Sequence, residues 1–172
     1  MDFLTLASNR YSIRGYDPQK PVEKEKLFRI LESGRIAPSA ANRQPWTIVV
    51  VQSKALLQAL TTVYPAKWFA DAPVVLIVKG RKNEAWKRRS DNYCAIETDL
   101  TIVMDHMILA ATAEGLGTCW IAAFDEIKLR QILQLTDDEV VFAITPIGYP
   151  IGNEVVTRPK IRKTLEEITE WL

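Results

Sequence analysis

The chain has 172 residues, 48% of them hydrophobic and 25% charged, and its formal net charge is +1. This composition is typical of a folded domain that buries its own core, and it excludes disordered and collagen-like chains as well as an overall charge footprint for nucleic acid. One histidine and two cysteines are too few for most metal sites, for a disulfide framework or for most histidine-based catalysis.

The recognisable signals of targeting and of common catalytic motifs are missing from the sequence. The chain does not begin with a basic region followed by an apolar stretch, and its apolar runs fall far short of the ~18 residues that a membrane span requires. We therefore expect a cytoplasmic protein with reduced cysteines and no membrane partner. Glycine-rich phosphate loops, a nucleophile elbow and a zinc-binding helix are also missing. An enzyme built on this sequence would take its reactivity from a bound organic cofactor.

Hydrophobic periodicity divides the chain into alternating helices and strands. In chain order, the predicted elements are helices over residues 1–9 and 22–35, a loop over 37–45, a strand over 47–52, a helix over 53–62, a strand over 73–78, a helix over 91–114, a short segment over 118–121, a helix over 125–133, a strand over 140–149 and a helix over 165–172. No internal repeat or linker interrupts this order, which predicts one α+β or α/β domain.

The helix predicted over residues 91–114 is the longest, and it is apolar over much of its surface. We expect it in the core or in a subunit interface. Gly115 and Gly117 end it, and His106 within it is interpreted as a structural histidine. The last strand is expected to kink at Pro146.

Residues 10–14, Arg-Tyr-Ser-Ile-Arg, form the first candidate binding segment. Two guanidinium groups bracket the hydroxyl of Ser12, and arginine forks match phosphate oxygens with paired hydrogen bonds. The alternative interpretation is a solvated basic turn after a helix.

Residues 37–46, Ala-Pro-Ser-Ala-Ala-Asn-Arg-Gln-Pro-Trp, form the second candidate segment. Small residues let the backbone approach a ligand, while Ser39, Asn42 and Gln44 supply neutral donors and acceptors. Such a set suits a heteroaromatic ring that carries carbonyls and ring nitrogens. The alternative is a capped loop whose Trp46 anchors the next strand.

Residues 158–163, Arg-Pro-Lys-Ile-Arg-Lys, place four cations in six positions near the carboxyl end. A terminal basic run is usually solvated. Opposite residues 10–14, however, it would complete a clamp for phosphate.

Together these segments resemble the FMN-dependent nitroreductase family, and the resemblance spans nearly the whole chain. The ordered set is more specific than any one motif. The motifs are Arg10-x-Ser12-x-Arg14, Pro38-Ser39-x-x-Asn42-x-Gln44-Pro45-Trp46, Gly115-Leu116-Gly117-x-x-Trp120-Ile121 and Lys160-x-Arg162. The resemblance implies a nitroreductase-like α+β three-layer sandwich, with a central mixed sheet flanked by helices. It also implies a single FMN-binding domain over residues 1–172 and an intertwined homodimer with FMN at the interface.

The resemblance assigns the phosphate end of FMN to both ends of the chain. Arg10, Ser12 and Arg14 look like the groups that meet the phosphate, the ribityl chain and the flavin edge. Lys160 and Arg162 look like the other half of the phosphate clamp.

The ring end of FMN is assigned to three other places. Ser39 and Asn42 look like contributions from the partner subunit to the same flavin. The main-chain amide that points at flavin N5 falls at Ala122 or Ala123. Lys67 lies about where the family often places a basic or amide side chain near the pyrimidine end of the ring.

The implied activity is a ping-pong reduction, in which NADH or NADPH reduces FMN and leaves before a small acceptor enters the same pocket. The acceptor would be a nitroaromatic, a quinone or a related conjugated molecule. Because the flavin performs the electron chemistry, no catalytic side chain and no metal are expected. The alternatives are a flavin-binding or interaction module without significant turnover, and a relative of the reductive dehalogenase type.

The sequence also departs from the family pattern. Tyr11 stands where many relatives carry a second basic residue, and alanines occupy positions 122 and 123 where a glycine is common. The chain is short for the family, which implies an open acceptor site. Candidates for its walls, each with a core position as the alternative, are Trp68, Phe69 and Phe124.

Overall fold

The structure, a computed structural model, describes residues 2–152 and 160–172. The elements are α1 (Phe3–Asn9), α2 (Lys24–Arg35), β1 (Trp46–Val51), α3 (Lys54–Leu60), α4 (Lys67–Ala70), β2 (Val74–Arg81), α5 (Ile96–Ala113), β3 (Gly117–Thr118), α6 (Glu126–Leu133), β4 (Glu139–Gly148) and α7 (Leu165–Ile168). A short 3-10 turn covers Ala40–Asn42. Within the described residues, no helix is both long enough and apolar enough to cross a bilayer.

The sheet has the strand order β1-β2-β4-β3, and its named strands pair antiparallel. The segment after α1 runs beside β3 and adds a parallel contact through the isolated bridge between Ser12 and Thr118. The sheet is therefore mixed at its β3 edge.

Strand β2 shows why the fold has three layers. Successive side chains of a strand point to opposite faces, so Val74 and Leu76 pack with α2 and α5, whereas Val75 and Ile77 pack in the core that contains α3 and α6 residues. Because both faces are covered, the strand is almost continuously apolar. The structure confirms the predicted α+β architecture with helices on both sides of the sheet.

Helix α5 begins at Ile96, later than the predicted start at residue 91. The Asp91 carboxylate accepts hydrogen bonds from Arg88 and from the Tyr93 amide, and Asn92 has a left-handed φ of 58°. This local side-chain bonding competes with helical backbone bonds, and the prediction missed that competition.

The helix predicted over residues 165–172 is too long, whereas the kink predicted at Pro146 has no counterpart in the strand register. The register across Pro146, which lies opposite Val75, is regular, and the irregularity falls between Ile77 and Lys79 instead. Proline fits a strand wherever the ladder does not need its missing N–H. The last helix covers Leu165–Ile168 only, because Thr169 is already extended.

Candidate functional site

The two basic segments meet in one cleft. Its volume is about 290 Å³, and its lining residues are Arg10, Tyr11, Ser12, Arg14, Lys160, Ile161 and Arg162. Arg158 and Pro159, which belong to the basic run at the carboxyl end, lie outside the described residues. The structure therefore brings together five of the residues that the resemblance assigns to FMN.

In the amino-terminal half of the cleft, exposed and buried side chains alternate as they do in a strand. The Ile13 amide donates to the Thr118 carbonyl at 2.8 Å, and the Ile13 side chain is buried while Ser12 and Arg14 are exposed. The buried Tyr16 hydroxyl donates to the Ile13 carbonyl at 2.9 Å. The segment is thus fixed on its inner side, and Ser12 and Arg14 remain exposed on the other.

Gly117 allows this segment to lie close to β3. A Cβ at position 117 would stand 2.8 Å from Cγ1 of Ile13 and 3.0 Å from its Cβ. Carbon atoms do not approach so closely, so a larger residue would push the segment away from the sheet.

Lys160 joins the carboxyl-terminal half of the cleft to α1. Its ammonium donates to the carbonyl of Ala7 at 3.1 Å and to that of Ser8, which are acceptors at the end of a helix. It also lies 4.4 Å from the centre of the Tyr11 ring. Burial lowers the pKa of Lys160, and the neighbouring charges of Arg10 and Arg162 add to this effect.

Among residues 2–152 and 160–172, the cleft collects cations without acidic partners. No carboxylate of these residues lines it, and none of Arg10, Arg14, Lys160 and Arg162 forms a salt bridge with them. Crowded like charges favour an anion that offers several oxygens. The donor set therefore fits the phosphate group of FMN.

The loop after β3 is held at its base and exposed at its tip. Ile121 and Ile144 exchange backbone hydrogen bonds at 3.0 and 2.9 Å, and the Asp125 amide donates to Val63 at 2.9 Å. Between these anchors, Ala122 and Ala123 are exposed, and their amides bond no backbone carbonyl of the described residues. Two alanine amides are thus presented on a fixed loop.

The residues around α4 divide between surface and core. Lys67 is exposed. Trp68 is half-buried, with its ring 6.3 Å from Tyr16 and 5.5 Å from Tyr64. Phe69 is only 2% exposed and belongs to the core, so the structure favours the core alternative over a pocket wall for this residue. Phe69 is the buried residue of the short helix α4.

Phe124 is half-buried and packs against the core on the α3 and α6 side of the sheet. Among the three aromatic candidates, Trp68 contacts Tyr16 and so lies closest to the segment that carries the arginines.

Ser39 and Asn42 lie elsewhere in the same chain. The neighbouring Ala40 amide donates to Oδ1 of Asp99, near the start of α5, at 2.9 Å. At the other end of α5, Thr112 lines a cavity shared with Tyr11. Thirteen residues of helix separate Asp99 from Thr112, which is about 20 Å. One chain therefore does not bring Ser39 and Asn42 to its own arginine cleft.

One contact and one residue of interest were not predicted from the sequence. Lys160 was recognised, but its contact with Tyr11 was not, because residues so far apart in sequence show no local pattern. The residue that was missed is Asp99. Asp99 did leave a signal. It occupies a position on the buried stripe of α5 between Ile96 and Val103, where an acidic side chain is rare.

Comparisons with known proteins show which proteins this chain resembles in sequence. A model of the nitroreductase family matches residues 7–66 and 54–149. A Thermus thermophilus NADH dehydrogenase is 30% identical, with 99% of this chain and 96% of that protein covered. A Staphylococcus aureus (strain USA300) protein provisionally named an NAD(P)H nitroreductase is 40% identical, with 95% and 92% covered.

Solved structures agree with these sequence matches. The crystal structure of a nitroreductase family protein from Clostridium difficile 630 has a TM-score of 0.88 and 35% identity, and the match covers 99% of this chain and 98% of that one. A nitroreductase family protein from Clostridium novyi NT has a TM-score of 0.80 and 30% identity, with 88% and 86% covered. The chain belongs to the nitroreductase family.

Proposed function

We propose that this protein is an FMN-dependent oxidoreductase that uses NADH or NADPH to reduce a small conjugated acceptor such as a nitroaromatic or a quinone. In this proposal, residues 1–172 form one FMN-binding domain. The observation that carries the proposal is the cleft in which Arg10, Arg14, Lys160 and Arg162 converge without an acidic partner from the part of the chain that the structure describes. The names of the S. aureus and T. thermophilus relatives support the choice of nicotinamide as the reductant.

The cationic residues would hold the phosphate of FMN. Arginine forks on Arg10, Arg14 and Arg162 approach from two sides of the cleft, and Ser12 adds a hydroxyl donor. Lys160 already donates to the end of α1, so it would both anchor its own segment and contribute charge.

The ring of FMN would extend from the cleft toward the loop after β3. An exposed amide of Ala122 or Ala123 would donate to flavin N5, and Lys67 would lie near the pyrimidine end. Bound FMN supplies the two-electron chemistry between the nicotinamide and the acceptor. The chain then needs only to orient the ring and to leave room beside Trp68 for the acceptor.

A homodimer with FMN at the interface would complete the site. Ser39 and Asn42 cannot reach the cleft of their own chain, because about 20 Å of α5 lies between. Their hydrogen bonding leaves donors available. The Ser39 hydroxyl accepts from the Gln44 amide at 2.9 Å, which leaves its hydrogen to donate. Ser39 and Asn42 of the second copy would meet this flavin.

Exposed apolar side chains at both ends of the chain also favour a second copy. Contiguous exposed apolar surface marks an interaction site. The large hydrophobic residues that are about two-thirds exposed or more in these segments are Phe3, Leu4, Ile161, Leu165, Ile168, Trp171 and Leu172. We propose that the segment from residue 160 to residue 172 wraps around the partner, so that the dimer is intertwined.

Titration of the apoprotein with FMN, followed by flavin fluorescence, tests the proposal. Saturable binding is expected, and Arg14→Met should weaken it about tenfold, because one charge-assisted contact is lost. Arg89→Met is the matched control, since Arg89 is exposed and lies outside the cleft. Failure of the wild-type protein to bind FMN would overturn the proposal.

Turnover assays separate the kinds of chemistry. NADH or NADPH should bleach the bound flavin, and a nitroaromatic or quinone should restore its colour. Negligible bleaching by saturating nicotinamide would instead indicate a binding module, and selective turnover of halogenated phenols would indicate a reductive dehalogenase.

A further inference from the structure

The loop that carries Ser39 and Asn42 has an unfavourable backbone. Ala41, Asn42 and Gln44 have φ values of 50°, 53° and 48°. Residues other than glycine rarely adopt this left-handed region, and asparagine tolerates it better than alanine does. The loop therefore needs contacts that hold it in place.

Hydrogen bonds within the loop stabilise the conformation of its tip. The Gln44 amide donates to the Ser39 hydroxyl at 2.9 Å, and the Gln44 side chain donates to Oδ1 of Asn42 at 3.1 Å. The far end is tied to the sheet, because the Arg81 amide donates to the Pro45 carbonyl at 2.9 Å. Ala37 is buried in the core, but none of these bonds attaches the following residues, Ser39 and Ala40, to the rest of the fold.

Asp99 makes that attachment. Its Oδ1 accepts from the Ala40 amide at 2.9 Å, and the residue is 1% exposed. Its Oδ2 is buried and has no hydrogen-bond partner in the described residues, and burial raises the pKa of this carboxyl group. Burying a carboxylate with one oxygen unpaired costs stability. Packing alone would favour an apolar residue on this stripe of α5.

We propose that Asp99 is a positioning residue, whose bond to the Ala40 amide holds the left-handed loop so that Ser39 and Asn42 are presented to the flavin of a second copy. This inference rests on the proposed function. Asp99 acts through the loop and does not itself touch the cofactor.

A double-mutant cycle on the two partners of this hydrogen bond tests the inference. Asp99→Leu removes the acceptor, and Ala40→Pro removes the donor. Proline is compatible with this position because the preceding Ser39 is extended, with φ −139° and ψ 159°. Each single variant and the double variant should raise the Kd for FMN by the same factor of about ten. Asp99→Asn, which keeps an oxygen acceptor, should bind FMN within about threefold of wild type.

Hydrogen exchange supplies a readout that does not depend on FMN. Amides of residues 40–44 should exchange faster in Asp99→Leu than in wild type, while those of β2 stay protected. Glu97→Ala is the matched control, because Glu97 is exposed on the same turn of α5. Should Asp99→Leu fail to fold, Ala40→Pro carries the same comparison at residues 41–44, because proline has no amide hydrogen at position 40.

The outcomes distinguish this inference from the proposed function. Wild-type protein that does not bind FMN overturns the proposed function. The exchange rates at residues 40–44 then still test whether the hydrogen bond between Asp99 and the Ala40 amide holds the loop. If wild type binds FMN and both single variants bind it equally well, with unchanged exchange in the loop, the assignment of Asp99 is overturned.

Discussion

The ammonium group of Lys160 lies 4.4 Å from the centre of the Tyr11 ring and donates to the Ala7 carbonyl at 3.1 Å. This arrangement joins the carboxyl-terminal segment to the end of α1. The aromatic ring stands where the family resemblance leads us to expect a basic side chain. A neutral ring attracts the ammonium group through its negative face, whereas another cation would repel it. Tyr11 therefore reduces the charge crowding of the cleft.

Replacement of Tyr11 by leucine should weaken FMN binding. The lost attraction at a half-buried site is worth about 1 kcal/mol, so the Kd should rise about fivefold. Tyr11→Phe keeps the ring face and should behave like wild type. Fluorescence titration measures the Kd for FMN of both variants. Equal Kd values for Tyr11→Leu and Tyr11→Phe would show that the ring contributes nothing to the clamp.

Loss of the apolar carboxyl-terminal surface should dissociate the proposed dimer. Trp171 is 91% exposed in the single chain and Ile168 is 66% exposed, so aspartate at both positions should leave the protomer folded but remove its contact with a second copy. Sedimentation velocity should then show monomers, and FMN binding should fall with the dimer. Glu170→Gln, between the two positions, serves as the control. A doubly substituted protein that remains dimeric would place the interface elsewhere.

Gly117→Ala should destabilise the fold and the cleft together. The new Cβ would stand 2.8 Å from Cγ1 of Ile13, and such overpacking costs about 1–3 kcal/mol. Because the same contact holds Ser12 and Arg14 in place, the Kd for FMN should also rise. Adding Ile13→Ala makes room and should recover part of both losses. Urea denaturation and FMN titration of the single and double variants measure this coupling, and purely additive losses would contradict it.

The ion pair between Lys79 and Glu139 should make stability depend on pH in the acid range. The two groups are 2.6 Å apart. The hydrogen bond from Lys79, assisted by the Thr136 amide, lowers the pKa of Glu139 from 4.5 to about 2. A carboxylate with a lowered pKa in the folded state stabilises the protein fully above its unfolded value, and this contribution is lost as the pH falls through the folded value.

The free energy of unfolding should therefore decrease between about pH 4.5 and pH 2 by about 2 kcal/mol from this group. Glu139→Gln should be less stable at neutral pH and should show a smaller acid dependence. Urea titrations at several pH values provide the measurement, and parallel pH profiles for the two proteins would exclude Glu139 as the source.

Local patterns were sufficient for most elements because local physics determines them. The apolar run of β2 predicts a strand, and the helical spacing of α5 predicts a helix in the core or in a subunit interface. The patterns failed where a side chain competes with the backbone, as Asp91 does before α5. They left Phe69 open between a pocket wall and the core, because periodicity over the four residues of α4 does not tell which side faces inward.

The sequence by itself determined the chemistry of this protein: its cations, its small polar loop and the order of motifs that marks the nitroreductase family. Tertiary structure alone decided which of those residues share a site. It brought Arg10 and Lys160 to one cleft, and it placed Ser39 at the opposite end of α5, held through Asp99. The physical reason is that a pattern along the chain reports nearest neighbours, whereas these contacts join residues far apart in sequence, which only the packing of helices on the sheet brings together.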